Sequence, residues 1–216
     1  MALKRPKVII NYACSLDGKI AFHNKHRARL SSEEDKRRVH LLRNKVDAIL
    51  VGVGTILADD PSLLVKEKYV RNPRQPLRIV LDSKCRTPRT AKCLSSGART
   101  LIVTLGRCDK GVAGAEILRC GEGEVDLPLL LDYLWKKGIR SLLVEGGGTV
   151  LWSFISQRLF DEMYVYIAPL VIGGSRSPTG ADGPGFERIE ECARLGFVSA
   201  RKFPGGGVLV HAKRDR

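Results

Sequence analysis

The sequence predicts an α/β fold with a mostly parallel central sheet, flanking helices and antiparallel strands at the C-terminal end. Three observations support this fold class. Short apolar runs bounded by turn residues recur along all 216 residues. These runs are apolar throughout rather than alternating, which is typical of strands buried on both faces of a parallel sheet. Amphipathic segments with helical spacing lie between several of them.

Six of the apolar runs have the length and composition of buried strands. They lie at 8–13, 48–51, 77–81, 100–104, 141–144 and 164–168. Towards the C-terminus, two further segments at 194–203 and 208–213 flank a Pro-Gly-Gly-Gly turn at 204–207, which predicts an antiparallel pair. No linker or repeat interrupts the pattern, so we expect a single domain over residues 1–216.

Three helices are predicted between these strands. The first spans 32–44 and opens with a Ser-x-x-Asp capping box at Ser32 and Asp35. The second spans 126–137, with a proline in its first turn and a glycine directly after its end. The third is expected over 150–158.

The charge balance favours anionic partners. Lys and Arg total 37 against 23 acidic residues, for a formal charge of +14. Ligands that carry phosphate, nucleic acid, or merely a solvated basic surface all fit this excess. Aromatic residues are only 6% of the chain and no RNA-binding motif is present, so stacking platforms are scarce and we expect no nucleic-acid partner.

Other classes of protein are disfavoured by the same composition. No apolar run is long enough for a bilayer span or a signal-peptide core, so we expect no membrane association and a cytoplasmic location. The six cysteines include no Cys-x-x-Cys pair and are expected to be small buried thiols. The four histidines form no convincing ligand set, so no metal is expected.

The most informative motif follows the strand at 141–144, where Glu145 precedes three successive glycines, Gly146, Gly147 and Gly148. Glycines let the backbone approach a ligand closely, and the N–H groups at a helix start attract phosphate. Glu145 stands at the carboxyl end of the strand, where open α/β sheets bind their ligands. A tight turn alone needs one glycine or two, so a run of three favours a ligand site.

A second glycine-rich turn follows the strand at 48–51. Gly-Val-Gly-Thr at 52–55 leads to Asp59, Asp60 and Pro61. This is not the Rossmann fingerprint, because its third glycine is missing. Paired aspartates in such a loop more commonly cap a turn or a short helix. Two such turns at strand ends nevertheless favour a nucleotide with several phosphates.

Two further groups of residues have polar side chains suited to ligands. Ser83, Lys84 and Arg86 follow a strand and suit an extra phosphate, such as the 2′-phosphate of NADPH. The neighbouring Asp82 favours the opposite, because a carboxylate there selects the free ribose hydroxyls of NADH. An ordinary basic turn is an equal alternative.

The second group of residues could hold a phosphorylated substrate. Asn11, the Ser-Leu-Asp-Gly-Lys turn at 15–19, Arg43 and Lys66 have suitable side chains, although each could also be solvated. Their sequence positions alone do not decide between these two alternatives.

Four motifs in this order resemble those of the riboflavin-biosynthesis reductase family, over nearly the whole chain. They are the turn at 15–19, the loop at 51–61, the strand end at 78–83 and the glycine run at 145–149. That family has the dihydrofolate-reductase-like fold and forms the reductase half of a bifunctional deaminase–reductase. The zinc-deaminase signature is absent, so the chain is most similar to the stand-alone archaeal-type branch.

The resemblance implies the chemistry and the site. It implies NAD(P)H-dependent reduction of the ribosylamino side chain of a 2,5-diaminopyrimidinone 5′-phosphate to the ribitylamino form, by a homodimer with NADPH as cofactor. The preference over NADH stays open. A dihydrofolate or other pteridine reductase on the same fold is the alternative.

Site residues follow from the same resemblance. Cofactor contacts are implied at Thr55, Asp59, Val80, Leu81, Asp82, Ser83, Gly146, Gly147, Gly148 and Thr149. Substrate contacts are implied at Asn11, Arg43, Leu63, Lys66 and Glu145. Glu145 and Asp59 are the candidates for a catalytic carboxylate, which would stabilise positive charge on the substrate.

Overall fold

The computed structural model describes residues 4–24, 28–105, 112, 114–203 and 205–215. Two predictions involve residues outside this set: the first residue of the turn at 204–207, and Cys108 among the expected thiols. The described residues form nine strands and four α-helices. The strands are β1 (Lys7–Ser15), β2 (Ala48–Gly52), β3 (Leu77–Leu81), β4 (Thr100–Thr104), β5 (Glu116–Arg119), β6 (Ser141–Val144), β7 (Glu162–Ala168), β8 (Leu195–Lys202) and β9 (Val208–Arg214). The helices are α1 (Glu33–Lys45), α2 (Val53–Asp59), α3 (Leu127–Lys136) and α4 (Gly148–Ser156).

The chain divides into two compact units. The first unit comprises Met1–Lys7 and His40–Leu143, and the second comprises Val8–Val39 and Val144–Arg216. Every strand and helix expected from the sequence is present, with ends within two residues of the predicted ones. The structure adds α2 and β5, which the sequence analysis did not identify.

Parallel strands build the first unit. β2 pairs with β3, β3 with β4 and β4 with β5, all in parallel. Every residue of β2 and β4 is buried, as expected for strands covered on both faces. Val51, Val80 and Ile102 meet in one apolar cluster with Ile56 of α2. The core of this unit therefore lies where the sequence places its apolar runs.

Helix α3 shows why its sequence forms a helix there. Asp126 is the N-cap, and its carboxylate accepts a hydrogen bond from the N–H of Leu129 at 2.9 Å. Leu130, Leu131 and Leu134 recur at helical spacing and are buried. This capped amphipathic pattern makes the helix predictable from sequence alone.

The second unit contains the antiparallel strands. β1 pairs in parallel with β7, β7 pairs antiparallel with β9, and β9 pairs antiparallel with β8. Tyr166 and Phe203 meet edge to face, with ring centroids 5.8 Å apart, in a cluster with Ala28 and Leu30. The expectation of a mostly parallel sheet with an antiparallel C-terminal end is confirmed.

Three of the described cysteines follow the expectation of buried thiols, whereas Cys192 is a free thiol that is only half-buried and Cys85 is not a thiol. Cys14, Cys93 and Cys120 are buried thiols, and burial raises their pKa values. Cys85 is disulfide-bonded, so the prediction that it is a thiol is wrong. Composition and the lack of a Cys-x-x-Cys pair do not reveal which sulfur atoms the fold brings together.

Candidate active site

The glycine run in the second unit becomes the start of helix α4. Gly146 has a φ of +109°, the Gly146–Gly147 peptide bond is cis, and α4 begins at Gly148. Gly147 is the N-cap and has no side chain with which to cap the helix. The first N–H groups of a helix lack intrahelical partners and lie at the positive end of its dipole, so this turn suits an anionic group.

The packing around position 148 requires a glycine there. A Cβ atom at this position would lie 2.5 Å from the carbonyl oxygen of Thr179 and 3.0 Å from Cβ of Asp182. The Asp182 N–H donates to the Gly148 carbonyl at 3.1 Å. Residues 179–182, here named the docking turn, thus rest directly against the helix start.

The docking turn is itself a closed hydrogen-bonded unit. The Asp182 carboxylate accepts hydrogen bonds from the Thr179 N–H at 2.8 Å and from its hydroxyl at 2.7 Å. The side chain of Asp182 therefore fixes the conformation of the turn, while its backbone contacts α4.

The Ser-Leu-Asp-Gly-Lys turn anchors the segment that leads to the docking turn. Asp17 accepts hydrogen bonds from the N–H groups of Ile172 at 3.0 Å and Gly173 at 2.7 Å. The Ser15 hydroxyl also donates to it at 2.6 Å and, with these amides, lowers the pKa of Asp17 to about 2. Lys19 forms a β-bridge with Thr179. This motif therefore positions the loop, and its predicted role as a phosphate clamp has no support among these contacts.

The predicted substrate residues of the second unit are Asn11 and Glu145. Asn11 lies on β1 and is buried, with its amide oxygen accepting a hydrogen bond from Arg38 Nη2 at 2.7 Å. Glu145 is half-buried and stands between the end of β6 and Gly146.

In the first unit, the second glycine-rich segment is a helix start and not a turn. α2 begins at Val53 directly after β2, so Gly54 lies inside the helix. Thr55 and Asp59 are both half-buried and four residues apart, which places them on one face of α2. This common face agrees with the prediction that both serve the same ligand.

The two adjacent aspartates have different roles. Asp60 adopts the left-handed conformation that ends α2, and its carboxylate accepts the N–H of Lys92 at 2.8 Å. That hydrogen bond is the main cause of its lowered pKa, helped by the Lys92 ammonium 3.2 Å away. Asp60 therefore ties two loops together.

Three predicted substrate residues of the first unit come together along 63–66. Leu63 is buried with a φ of +57°. The Lys66 N–H donates to Nδ1 of His40 at 3.2 Å, while the Lys66 side chain is exposed. Arg43 Nη1 donates to the Leu64 carbonyl at 3.4 Å. The second half of α1 thus holds this segment in place.

Sequence reasoning missed the side chains that support this segment. His40 stacks on Tyr69 with ring centroids 4.6 Å apart. The Gln75 amide brackets Val65, donating to its carbonyl at 2.9 Å and accepting its N–H at 2.8 Å. Their partners lie 10 or more residues away in sequence, so no local pattern marks them.

Arg78 is a second missed support, although it lies inside one of the four motifs. Its guanidinium is fully buried and donates to the carbonyl oxygens of Ser62, Ser95 and Ala98 at 3.3, 2.7 and 2.6 Å. Burial lowers its pKa. One cation thus joins the residue before Leu63 to the loop at 95–98 that precedes β4.

In the turn after β3, the acidic side chain is buried and the two basic side chains are exposed. Asp82 is fully buried, and its carboxylate accepts the N–H and the hydroxyl of Thr87, both at 2.6 Å. Lys84 and Arg86 are exposed, and Ser83 is half-buried. The carboxylate of Asp82 therefore shapes the turn from within, and the predicted cofactor contact at this position stays a prediction.

Val80 is another predicted cofactor contact in this segment. Its side chain is fully buried in the apolar cluster of the first unit. Any cofactor contact at this position must therefore come from the backbone.

Two searches of the described residues were negative. No helix among them is both long and apolar enough to cross a membrane. No group of three or more His, Cys, Asp or Glu side chains among them is arranged to hold a metal ion.

Together, these features define an α/β protein whose glycine-rich helix start is suited to a phosphate-bearing ligand. The sequence matches the RibD C-terminal domain family over residues 6–209. The chain therefore belongs to this family, as its resemblance to the riboflavin-biosynthesis reductases implied.

Two archaeal relatives match along almost their full length. The chain is 46% identical over 207 residues to the 2,5-diamino-6-ribosylamino-4(3H)-pyrimidinone 5′-phosphate reductase of Archaeoglobus fulgidus, covering 89% of this chain and 94% of the relative. It is 42% identical over 196 residues to the reductase of the same name from Methanothermobacter thermautotrophicus, covering 88% of this chain and 90% of the relative.

Solved structures share the fold. The deaminase/reductase of Thermotoga maritima superposes with a TM-score of 0.83 at 25% identity, covering 98% of this chain. The present chain spans 57% of the length of that protein. The riboflavin biosynthesis reductase of Saccharomyces cerevisiae has the same fold, with a TM-score of 0.77 at 23% identity and coverage of 98% of this chain and 90% of that one.

The docking turn yields a stability prediction. In Gly148→Ala, the added Cβ atom would clash with the carbonyl oxygen of Thr179, and the backbone at the docking turn would have to move away. We therefore expect the free energy of unfolding to fall by about 1–3 kcal/mol. Hydrogen exchange at 179–182 should become faster. Gly54→Ala is the control: it lies in a helix with open space around the added methyl group and should be neutral or stabilising by up to about 1 kcal/mol. Equal denaturant midpoints for the two variants would contradict the packing role of Gly148.

Proposed function

We propose that this chain is an NAD(P)H-dependent reductase of riboflavin biosynthesis. Its substrate is a 2,5-diamino-6-ribosylaminopyrimidinone 5′-phosphate, and its product carries a ribitylamino side chain. The main support is the 46% identity to a stand-alone reductase of that name along nearly the whole of both chains. The family match across residues 6–209 also supports one functional domain that includes both units.

The cofactor proposal depends on backbone groups. The start of α4 offers N–H groups without a capping side chain, so Gly146, Gly147, Gly148 and Thr149 are proposed to hold the diphosphate. Thr55 and Asp59, on one face of α2, are proposed as further cofactor contacts. Ser83 and the backbone at 80–82 are proposed to contact the adenosine side.

The burial of Asp82 favours NADPH over NADH. A carboxylate that selects NADH must face the ribose hydroxyls, whereas that of Asp82 is bonded to Thr87 inside the turn. The exposed groups are Lys84 and Arg86, two cations suited to a 2′-phosphate. We therefore propose a preference for NADPH.

The chemistry requires one hydride and little covalent assistance from the protein. Opening of the ribosylamine ring gives a protonated imine between C1′ and the side-chain nitrogen, and the released ring oxygen takes a proton from solvent to become the 4′-hydroxyl. A reduced nicotinamide, when bound, would supply hydride to C1′; the C=N electron pair would then move to the nitrogen, which keeps its proton and becomes a secondary amine. Glu145 is proposed to stabilise the protonated imine, which accepts hydride more readily.

The negative charge of the substrate phosphate is complementary to the positive charges of Lys66 and Arg43 in the first unit. Lys66 is exposed beside buried Leu63, and Arg43 contacts the same segment. We propose that this group and Asn11 bind the substrate. Asp59 remains a second candidate carboxylate, because it shares a helix face with Thr55.

A direct assay tests the reaction and the role of Glu145. Purified enzyme should oxidise NADPH when given the diaminopyrimidine phosphate, but not when given dihydrofolate. Glu145→Gln should lower kcat by about 100-fold and change the Kd for NADPH by less than about twofold, because it removes charge near the reacting atoms only. Exposed Glu122→Gln is the matched control. Turnover of dihydrofolate alone would support a pteridine reductase, and equal losses of kcat and NADPH affinity would remove Glu145 from the chemical step.

The cofactor preference has its own test. Replacing both Lys84 and Arg86 with Ala should raise the Kd for NADPH by about tenfold or more and leave the Kd for NADH nearly unchanged, because only NADPH carries the 2′-phosphate. Arg89→Ala removes another exposed cation after the turn and serves as the control. A parallel loss of affinity for both cofactors would contradict the assignment.

We also propose a homodimer. Besides the family resemblance, the support is β8, which pairs with β9 in the second unit and exposes Phe197 at 80% and Val198 at 53%. Light scattering should give a mass near twice 23.8 kDa, and Phe197→Ser should weaken the association. A monomeric mass at all concentrations, with and without ligands, would exclude it.

A further inference from the structure

A buried polar chain in the second unit links the start of α1 to β1. The Ser32 hydroxyl accepts the N–H of Asp35 at 3.2 Å. The Asp35 carboxylate accepts a hydrogen bond from Arg38 Nε at 2.8 Å, and Arg38 Nη2 lies 2.7 Å from the same carboxylate oxygen in an ion pair. Arg38 Nη2 also donates to the Asn11 amide oxygen at 2.7 Å. One guanidinium therefore bridges a carboxylate and the amide of Asn11.

This bridge is held in a nearly dry environment. Asp35 is 1% exposed, Asn11 is 5% exposed, and the Arg38 side chain is 15% exposed. Asp35 Oδ2 is buried without a hydrogen-bond partner among the described residues, so moving the guanidinium away would leave an uncompensated buried charge and is strongly disfavoured. The geometry fixes Arg38 on both sides.

An aromatic ring supports the same guanidinium. The Arg38 guanidinium carbon lies 5.9 Å from the ring centroid of Tyr164, which is the residue beside Asn11 in the β1–β7 register. Tyr164 in turn stacks on His211, with centroids 4.2 Å apart. The ring pair restricts movement of Arg38 towards β7.

The bridge determines the orientation of the Asn11 amide. A guanidinium can only donate hydrogen bonds, so the amide atom that faces it must be the oxygen. The amide NH₂ group then faces away from Arg38. Among the residues that the structure describes, none accepts a hydrogen bond from this group. Asn11 therefore has two N–H donors for which the described residues provide no acceptor.

We propose that Arg38 is a positioning residue for substrate recognition, which holds Asn11 so that its Nδ2 donates to an acceptor atom of the substrate. This inference rests on the proposed function, in which Asn11 binds the substrate. The substrate atom facing Asn11 is then a carbonyl oxygen, a hydroxyl oxygen or an unprotonated ring nitrogen. An analogue without an acceptor at that point leaves the NH₂ group unpaired and binds less tightly.

A double-mutant cycle separates positioning from general stability. If Arg38 acts through Asn11, Arg38→Met should raise the KM for the diaminopyrimidine phosphate by about tenfold, with a much smaller change in kcat. In the Asn11→Ala background the same change should add less than about twofold. The Kd for NADPH should stay the same in both backgrounds. Arg37→Met, which removes an exposed cation from the adjacent position of α1, is the matched control.

Asn11→Asp provides a test that does not disturb the bridge. It keeps an oxygen towards Arg38, replaces the NH₂ donor with a second acceptor oxygen and adds a negative charge, so the KM should rise at least as much as in Arg38→Met, by about tenfold or more. This variant retains the Asp35–Arg38 pair and stays informative if Arg38→Met does not fold.

The outcomes distinguish this inference from the proposed function. A wild-type enzyme without substrate-dependent oxidation of NADPH or NADH overturns the proposed function and, with it, this role of Asn11. An active wild-type enzyme in which the Arg38 and Asn11 effects are simply additive overturns the positioning role alone. A wild-type KM in the Asn11→Asp variant also overturns the positioning role, because the NH₂ group of Asn11 would then not contribute to substrate binding.

Discussion

The close backbone approach at Gly148 is the contact on which the candidate site of the second unit depends. Because Gly148 has no Cβ, the docking turn at 179–182 can rest against the first turn of α4. Asp17 and Lys19 hold the segment that leads into that turn. Two motifs more than a hundred residues apart in sequence therefore act on the same stretch of backbone, and the N–H groups at the helix start are held in place for an anion.

Most of the fold could be predicted because burial on both faces makes the strands apolar throughout. β3 and β4 have the predicted bounds for this reason. The two missed elements have weak local signals. Helix α2 has seven residues, begins directly after β2 and contains Gly54, a poor helix former. Strand β5 has four residues, and two of them are charged. In both cases tertiary packing outweighs the local pattern.

The backbone geometry of the candidate site could be predicted better than the partners of its side chains. The glycine run at 146–148 predicts an unusual backbone turn, because glycine readily adopts conformations that other residues avoid. The role of Asp82 is not, since its partner Thr87 becomes apparent only when the turn is folded. Arg38 and His40 were missed for the same reason: each acts through a partner at least 26 residues away in the chain. Such pairings are a product of the fold and leave no local sequence pattern.

We propose that the start of α4 holds the diphosphate of a reduced nicotinamide cofactor. A crystal structure of the protein grown with NADPH tests this proposal most directly. We expect diphosphate oxygens within about 3 Å of backbone nitrogens among residues 147–149. A well-ordered cofactor whose diphosphate contacts other residues, with this helix start left to solvent, would contradict it.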